Sequence, residues 1–277
     1  MKFKFNFLFF IAFGFGLSVL APAQRYPEIQ KQLNLSNGVF GTYVSLITLG
    51  SIIAFIVGSR IIHSFGIGRA FAIAIFGINL TMAGYPHVHS SNIFVLSNVF
   101  FGFFSTLTHI SMNAQGIHIE HKSKQSVLPF MSGVWSMGAL STAVVAAIIT
   151  KHVSLSWHLD VLSLVACLVG IIGMLGLRKD YMRASEEYEA APRINLKNVL
   201  KTYKFIPALS IGQILLLQPE YSAGDWSAIY AHTTIGVSVA HSVLCYLVFM
   251  TTMGTMRLSS NRLNKIFTQE SLIKLIP

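Results

Sequence analysis

Charged side chains are scarce in this sequence, and a series of long apolar stretches contains almost none. Only 11% of the 277 residues are charged, whereas 53% are hydrophobic; a soluble domain is typically about 25% charged. The mean hydropathy is +0.62. No soluble fold could bury so much apolar surface, so the composition excludes a soluble protein and predicts one whose main partner is the lipid bilayer.

Cysteine is equally scarce. Cys167 and Cys245 both lie inside apolar stretches, which excludes a disulfide framework or a metal finger and favours small buried hydrophobic side chains. The net charge is +10, but the cations lie between apolar stretches, so no nucleic-acid partner is expected. The sequence has no phosphate-binding loop, nucleophile elbow or helical pair of metal ligands, and we expect neither a cofactor nor a metal.

The apolar stretches predict an all-α polytopic membrane protein, because a spanning helix needs about 20 mostly apolar residues. Eight spans are predicted, of which the seventh is broken and continues toward residue 230. They cover residues 5–23, 39–62, 70–85, 93–116, 127–150, 159–177, 205–217 and 237–256.

The placement of the cations predicts the orientation of these spans. Lys and Arg are enriched on the cytoplasmic side of membrane proteins. With the N-terminus in the cytoplasm, only Arg25, Lys31 and Lys151 of the 20 Lys and Arg residues face outward. We therefore expect a multi-pass protein with both termini in the cytoplasm.

The first predicted span has a second interpretation. Lys2 and Lys4, the apolar run and the sequence Ala21-Pro22-Ala23 also fit a cleavable signal peptide. Cleavage would leave the orientation of the other spans unchanged, so the cations do not separate a retained first span from a removed one.

Several motifs resemble one family of transporters. They are residues 22–29 and 33–41, Ser-Met-Asn-Ala-Gln-Gly at 111–116, Trp-Ser-Met-Gly-Ala-Leu at 135–140, and Glu220 with 225–230. They are similar to the major facilitator superfamily, in particular to the bacterial branch of fucose-permease-like and uncharacterised sugar or drug permeases. The resemblance favours a retained first span and implies a location in the bacterial plasma membrane.

The resemblance also implies how the chain is divided. Members of this superfamily join two six-helix halves. Residues 1–177 would form the first half, residues 178–204 a cytoplasmic linker loop, and residues 205–277 two helices of the second half. A complete second half would need about four more spans of about 20 residues each, so we expect a chain truncated after the eighth span.

The loops after the second and eighth spans depart from the family pattern. An acidic residue there helps to latch helices during transport. In this sequence His63 and Asn261 stand where Asp is expected, and Ser64 replaces a base, whereas Arg262 is retained. The resemblance therefore makes His63, Arg69, Asn261 and Arg262 the latch candidates.

Polar side chains at membrane depth are costly, and they mark candidate solute paths. His109 and Asn113 lie four residues apart and share a helical face. They either form the wall of a substrate cavity or make hydrogen bonds between helices. Trp135 is a further path candidate. Arg25, at the end of the first span, either binds an anionic group of the solute or is an exposed loop cation.

The seventh span contains Pro219 followed by Glu220. A proline removes a backbone donor, so this pair is predicted to interrupt the helix. A desolvated carboxyl group can carry protons, which makes Glu220 a candidate for proton coupling; the alternative is a loop carboxylate in water. Asp225 is placed nearer the outer surface, beside Trp226.

Together these features predict a secondary active transporter that moves a small polar organic solute by alternating access, with proton coupling as an option. A membrane-embedded enzyme is disfavoured, because no acidic or His-Asp cluster marks one membrane face. The alternative is a truncated remnant that does not transport, or one that works with a second chain supplying the missing helices.

Overall fold

The computed structural model describes residues 7–149, 152–182, 201–237 and 239–259, with residues 262, 263, 266 and 271. All regular elements in these ranges are helices. They are α1 (Leu8–Val19), α2 (Tyr26–Gln32), α3 (Asn37–Ser45), α4 (Ile47–Phe65), α5 (Ile67–Gly84), α6 (Ser91–Ser123), α7 (Leu128–Ile149), α8 (Leu155–Leu177), α9 (Phe205–Thr233) and α10 (Val239–Leu258).

Six helical segments of the described residues are long and apolar enough to cross a membrane. They are Leu8–Gln32, Asn37–Phe65, Ile67–His87, Ser91–Ser123, Leu128–Ala146 and Leu155–Leu177. They coincide with the first six predicted spans. The seventh and eighth predicted spans are helical too, as α9 and α10, but in α9 the apolar part, Phe205–Pro219, is shorter.

Two predicted spans differ in detail from single straight helices. The first consists of α1, a 3-10 turn over Pro22–Arg25, and α2. The second consists of α3 and α4, which meet at Leu46. The predicted interruption of the seventh span is wrong, because α9 runs from Phe205 to Thr233 with Pro219 inside it. A proline removes one hydrogen bond of the helical ladder, and here the neighbouring turns keep the helix continuous.

The helices of the first six spans pack in a definite order around α1. Helix α1 lies against α7 on one side and α8 on the other, α8 lies against α5, and α5 and α4 both lie against α6. Most residues of α1 are buried. Helix α1 is therefore a buried helix between α7 and α8, and α6 holds α4 and α5.

Glycine residues stand where these helices come closest. Gly16 of α1 faces Gly138 of α7. A Cβ atom added to either glycine would lie 3.1 Å from the Cα atom of the other. A Cβ on Gly14 would lie 2.9 Å from the carbonyl oxygen of Ala166 in α8. Gly50 of α4 and Gly102 of α6 meet backbone carbonyls in the same way. Small residues let helices of a membrane bundle approach closely, and these glycines do so.

The chain forms two compact units. The first contains Met1–Ala184 with Gly254–Pro277, and the second contains Ser185–Met253. The last turn of α10 therefore belongs to the first unit. There Arg257 donates a hydrogen bond to the hydroxyl oxygen of Ser136 in α7 (3.2 Å), and Leu258 lies against Gly133.

We expect Gly16→Ala to destabilise the fold. The new methyl group would overlap the backbone carbonyl of Trp135, and forcing extra volume into a packed contact costs about 1–3 kcal/mol. Thermal unfolding of the detergent-solubilised protein should show a lower midpoint temperature. The matched control is Gly41→Ala in α3, where a Cβ has open space and helix propensity favours alanine by about 0.5–1 kcal/mol. Equal midpoints for the two variants would contradict the packing assignment.

Candidate functional site

Two polar side chains of α6 lie in the middle of the longest membrane-spanning helix. His109 and Asn113 are one turn apart and close to the centre of the 33-residue helix. His109 is exposed and Asn113 is half-buried. The ring of His109 lies 6.4 Å, between centroids, from the ring of Phe15 in α1. His109 is therefore on the side of α6 that faces α1.

Trp135 of α7 lies on the other side of the same part of α1. Its backbone carbonyl meets Gly16, the residue that follows Phe15. Its indole Nε1 is buried, and no acceptor for it is present among the described residues. A buried indole N–H normally has a partner, so this donor is an exception among the described side chains.

The structure thus places the ring of His109 and the backbone of Trp135 beside adjacent residues of α1. Phe15 and Gly16 of α1 are adjacent, and they contact His109 of α6 and Trp135 of α7 respectively. Asn113 extends this wall by one turn along α6. We refer to His109, Asn113 and Trp135 as the polar wall.

Arg25 is not part of the polar wall. The interpretation of Arg25 as an exposed loop cation is wrong. It is 1% exposed. Its Nη2 donates to Glu28 Oε2 at 2.8 Å and to the carbonyl oxygen of Val153 at 3.1 Å, and its Nη1 lies 3.3 Å from Nδ1 of His158. The Arg25 guanidinium therefore connects the end of the first span to the loop before α8 and to α8 itself.

His158 was not identified from the sequence. It is 2% exposed and sits in the first turn of α8, which begins with Ser154 accepting a hydrogen bond from the backbone N–H of Trp157. Only its position near the start of an apolar run could have drawn attention to it, because its partner is 133 residues away in the sequence.

The coupling candidates of α9 are only partly described. Glu220 and Asp225 lie on the helical backbone of α9, but their side chains fall outside the described part of the structure. Their roles remain predictions.

Two of the latch candidates flank the turn between α4 and α5. His63 and Arg69 are both exposed, on either side of Gly66, whose φ of 77° and ψ of 155° are accessible essentially to glycine alone. Arg262 donates its backbone N–H to the carbonyl oxygen of Ser259 at 2.8 Å. Asn261 lies outside the described residues.

Other buried polar groups link neighbouring spans. Ser18 donates to Asn79 Oδ1 at 2.9 Å. The hydroxyl of Tyr85 donates to Asn98 Oδ1 at 2.8 Å, and Asn98 Nδ2 donates to the carbonyl oxygen of Tyr43 at 3.2 Å. These hydrogen bonds between helices give the side chains a structural role.

Gln115 also has a structural role, but at the predicted cytoplasmic end of α6. It is fully buried. Its Nε2 donates to the carbonyl oxygen of Asp180 at 2.8 Å, and its Oε1 accepts from the backbone N–H of Met182 at 3.0 Å. Between them, Tyr181 donates to the carbonyl oxygen of Met174 at 2.8 Å. Burial raises the pKa of the Tyr181 phenol, against the opposing charge of Arg178, so the phenol keeps its proton at neutral pH.

Within the described ranges, no group of three or more His, Cys, Asp or Glu residues could hold a metal ion. His87, one of two histidines in the loop between the third and fourth spans, lies 3.2 Å from the Asp160 carboxylate.

Comparison with known proteins gives a consistent result. The sequence model of the Major Facilitator Superfamily matches residues 7–276. The chain is 24% identical over 259 residues to the uncharacterized transporter y4wD of Sinorhizobium fredii, covering 91% of this chain and 66% of that protein. It is 22% identical over 255 residues to an uncharacterized MFS-type transporter of Yersinia pestis, covering 92% and 64%. The chain therefore spans just under two thirds of the length of these relatives.

We expect Gln115→Leu to loosen the segment that follows α8. The leucine would leave the carbonyl oxygen of Asp180 and the backbone N–H of Met182 buried without partners, at about 1–3 kcal/mol for each group. Limited trypsin digestion should then cut faster within residues 178–204. Gln213→Leu is the matched control, since Gln213 is exposed on α9 and its replacement should leave the rate unchanged. An unchanged rate for both variants would mean that Gln115 does not hold the segment.

Proposed function

The chain belongs to the Major Facilitator Superfamily, and on that premise we propose that it moves a small polar organic solute across the membrane by alternating access. Its apolar helices make it a multi-pass membrane protein in contact with the lipid bilayer. Members of the family are carriers, in which one helix bundle rocks against the other around a central site. The proposed reaction is therefore transport, with no covalent change to the solute.

The polar wall is the observation that carries this proposal. A polar side chain at mid-membrane depth is tolerated when it faces a cavity or a partner. His109 is exposed in the middle of α6, yet it faces α1, and the indole N–H of Trp135 has no acceptor among the described residues. Both features fit a surface that exchanges hydrogen bonds with a polar solute such as a sugar.

Roles for the remaining candidates follow from the same scheme. His109, Asn113 and Trp135 would contact solute, and Arg25 would act at the outer end of the path through its contacts with α2 and α8. Glu220, with Asp225 nearer the outer surface, would serve proton coupling. The helix latch at the other end of the path would consist of His63, Arg69, Asn261 and Arg262.

The division of the chain and its orientation are part of the proposal. Residues 1–177 would be a six-helix half, residues 178–204 a cytoplasmic linker, and residues 205–277 part of the second half. The cation distribution supports a bacterial plasma membrane protein with both termini inside, because only Arg25, Lys31 and Lys151 would face outward.

A second candidate function rests on the coverage of the relatives. The alignments span 66% and 64% of their lengths, and alternating access in this family uses two halves. Residues 1–277 would then insert without transporting alone, or would transport together with a second chain that supplies further helices.

One experiment separates these candidates. Cells expressing residues 1–277 are screened for uptake of labelled sugars and other small polar solutes, against cells with an empty vector. The screen is repeated with the C-terminal third of the Sinorhizobium relative co-expressed as a separate chain. Uptake by residues 1–277 alone supports the transporter, and uptake only on co-expression supports the split arrangement. Membrane insertion without uptake in either case would overturn the transport proposal.

We expect His109→Ala and Asn113→Ala each to reduce uptake of the solute found in that screen by about ten-fold or more. Losing one hydrogen bond of about 1.4 kcal/mol to the solute weakens binding by about that factor. Initial uptake rates are measured at matched membrane levels of protein. The matched control is Leu96→Ala, an exposed apolar position on the same helix, which should transport normally. Full uptake by both polar variants would remove the polar wall from the path.

We expect Glu220→Gln to abolish solute accumulation driven by a pH gradient, because the amide cannot carry a proton. Exchange of solute across vesicles without a gradient should persist, since exchange needs no net proton movement. Uptake into proteoliposomes with and without an imposed gradient measures both. Glu120→Gln, a half-buried carboxylate of α6 without an assigned role, is the control. Gradient-driven accumulation that survives in Glu220→Gln would rule out this coupling role.

A further inference from the structure

We propose that Arg25 and His158 form a proton-sensitive latch at the outer end of the first half, in which proton uptake by His158 releases Arg25. The latch is distinct from the coupling role proposed for Glu220. Its part in a transport cycle rests on the proposed function, but the release itself is a property of the folded chain and does not require transport.

The latch joins segments that are far apart in the sequence. Arg25 follows α1, Glu28 lies in α2, Val153 precedes α8, and His158 is in the first turn of α8. The guanidinium of Arg25 contacts all three partners within 3.3 Å. It therefore fastens the second part of the first span to the beginning of the sixth.

The contact between Arg25 and His158 defines the protonation state of the imidazole. A guanidinium has only donors and keeps its charge at all accessible pH values. Because Nη1 of Arg25 lies 3.3 Å from Nδ1 of His158, Nδ1 must accept, and the single ring proton must be on Nε2. A second proton would go to Nδ1, where an N–H would face the N–H of the guanidinium and two positive charges would meet.

The charges around the imidazole do not cancel that repulsion. With neutral His158, the cluster holds one cation, Arg25, and one anion, Glu28, whose side chain is 40% exposed. With protonated His158 it carries a net positive charge. At the end of the third span, His87 lies 3.2 Å from the carboxylate of Asp160 in α8, so that carboxylate already has a partner of its own. Lys151 of the loop before α8 lies outside the described residues.

The closed arrangement also leaves two buried donors unsatisfied. Nε of Arg25 and Nε2 of His158 are both buried, and neither has a hydrogen-bond partner in the described part of the chain. Buried polar groups nearly always have partners, and each exception in a native structure calls for an explanation. Two unsatisfied donors in one contact lower the cost of opening it, which is the property that a switch requires.

The proton comes from the solution at the outer mouth, binds Nδ1 of His158, and is returned when the pH rises. Histidine side chains take up protons between about pH 5 and 8. The closed form is thus favoured at the upper end of this range, and the open form gains as the pH falls.

Hydrogen–deuterium exchange of the full chain in detergent tests the latch. Protection factors, corrected for the intrinsic effect of pH on exchange, are compared at about pH 5 and about pH 8 for peptides covering residues 22–32. We expect protection in the wild-type chain to fall about ten-fold at the lower pH, as for the loss of one hydrogen bond to a charged group. His158→Gln keeps a neutral acceptor at every pH and should show no such fall.

His152→Gln is the matched control, because His152 is exposed in the same loop; its pH response should equal that of the wild-type chain. If His158→Gln does not fold, Arg25→Gln serves in its place and should also lose the response. Wild-type protection that does not change with pH overturns the proposal, as does an equal fall in the folded His158→Gln or Arg25→Gln protein. Since exchange needs no solute, failure of the uptake screen would leave this result intact.

Discussion

Helix α1 lies against both α7 and α8 because glycine stands where the backbones meet. Gly16 faces Gly138 in α7, and Gly14 faces the carbonyl of Ala166 in α8. Lipid tails are as apolar as the side chains they contact, so helices in a membrane associate through close packing and hydrogen bonds between helices more than through the hydrophobic effect. Gly50 and Gly102 allow a similarly close approach between α4 and α6. The position of every polar group depends on these close crossings.

The polar wall is a direct consequence of that packing. The residue before Gly16 is Phe15, and its ring lies beside His109 on α6, while Gly16 itself lies against Trp135 on α7. The crossing that holds α1 and α7 together therefore sets the distance between the polar groups of α6 and α7. At its outer end, the same first span continues into Arg25, whose guanidinium is held by α2 and α8. The proposed solute path and the proposed latch between Arg25 and His158 both depend on the first span.

The fold was largely predictable, and the roles of single polar residues were not. Hydropathy predicted the positions of the first six spans, because only a helix satisfies its backbone groups in lipid, but the first and fourth extend further than predicted, to Gln32 and Ser123. The break expected at Pro219 does not occur, since packing and neighbouring turns can hold a helix together across one missing hydrogen bond. Arg25 followed a predicted span and therefore looked like a loop cation. Its burial depends on Glu28, Val153 and His158, and the last two are more than 120 residues away.

The sequence by itself determined that this chain is a multi-pass helical membrane protein, since 53% of its residues are hydrophobic and its charges are confined to the gaps between apolar runs. Its motifs also indicated the family. Only the tertiary structure decided which polar side chains serve packing and which remain available. Asn98 and Gln115 bond to groups on other segments, whereas His109 keeps an exposed ring beside α1. The physical reason is that helical periodicity places a residue on one face of its own helix. Which helix packs against that face depends on contacts between segments that are distant in the sequence.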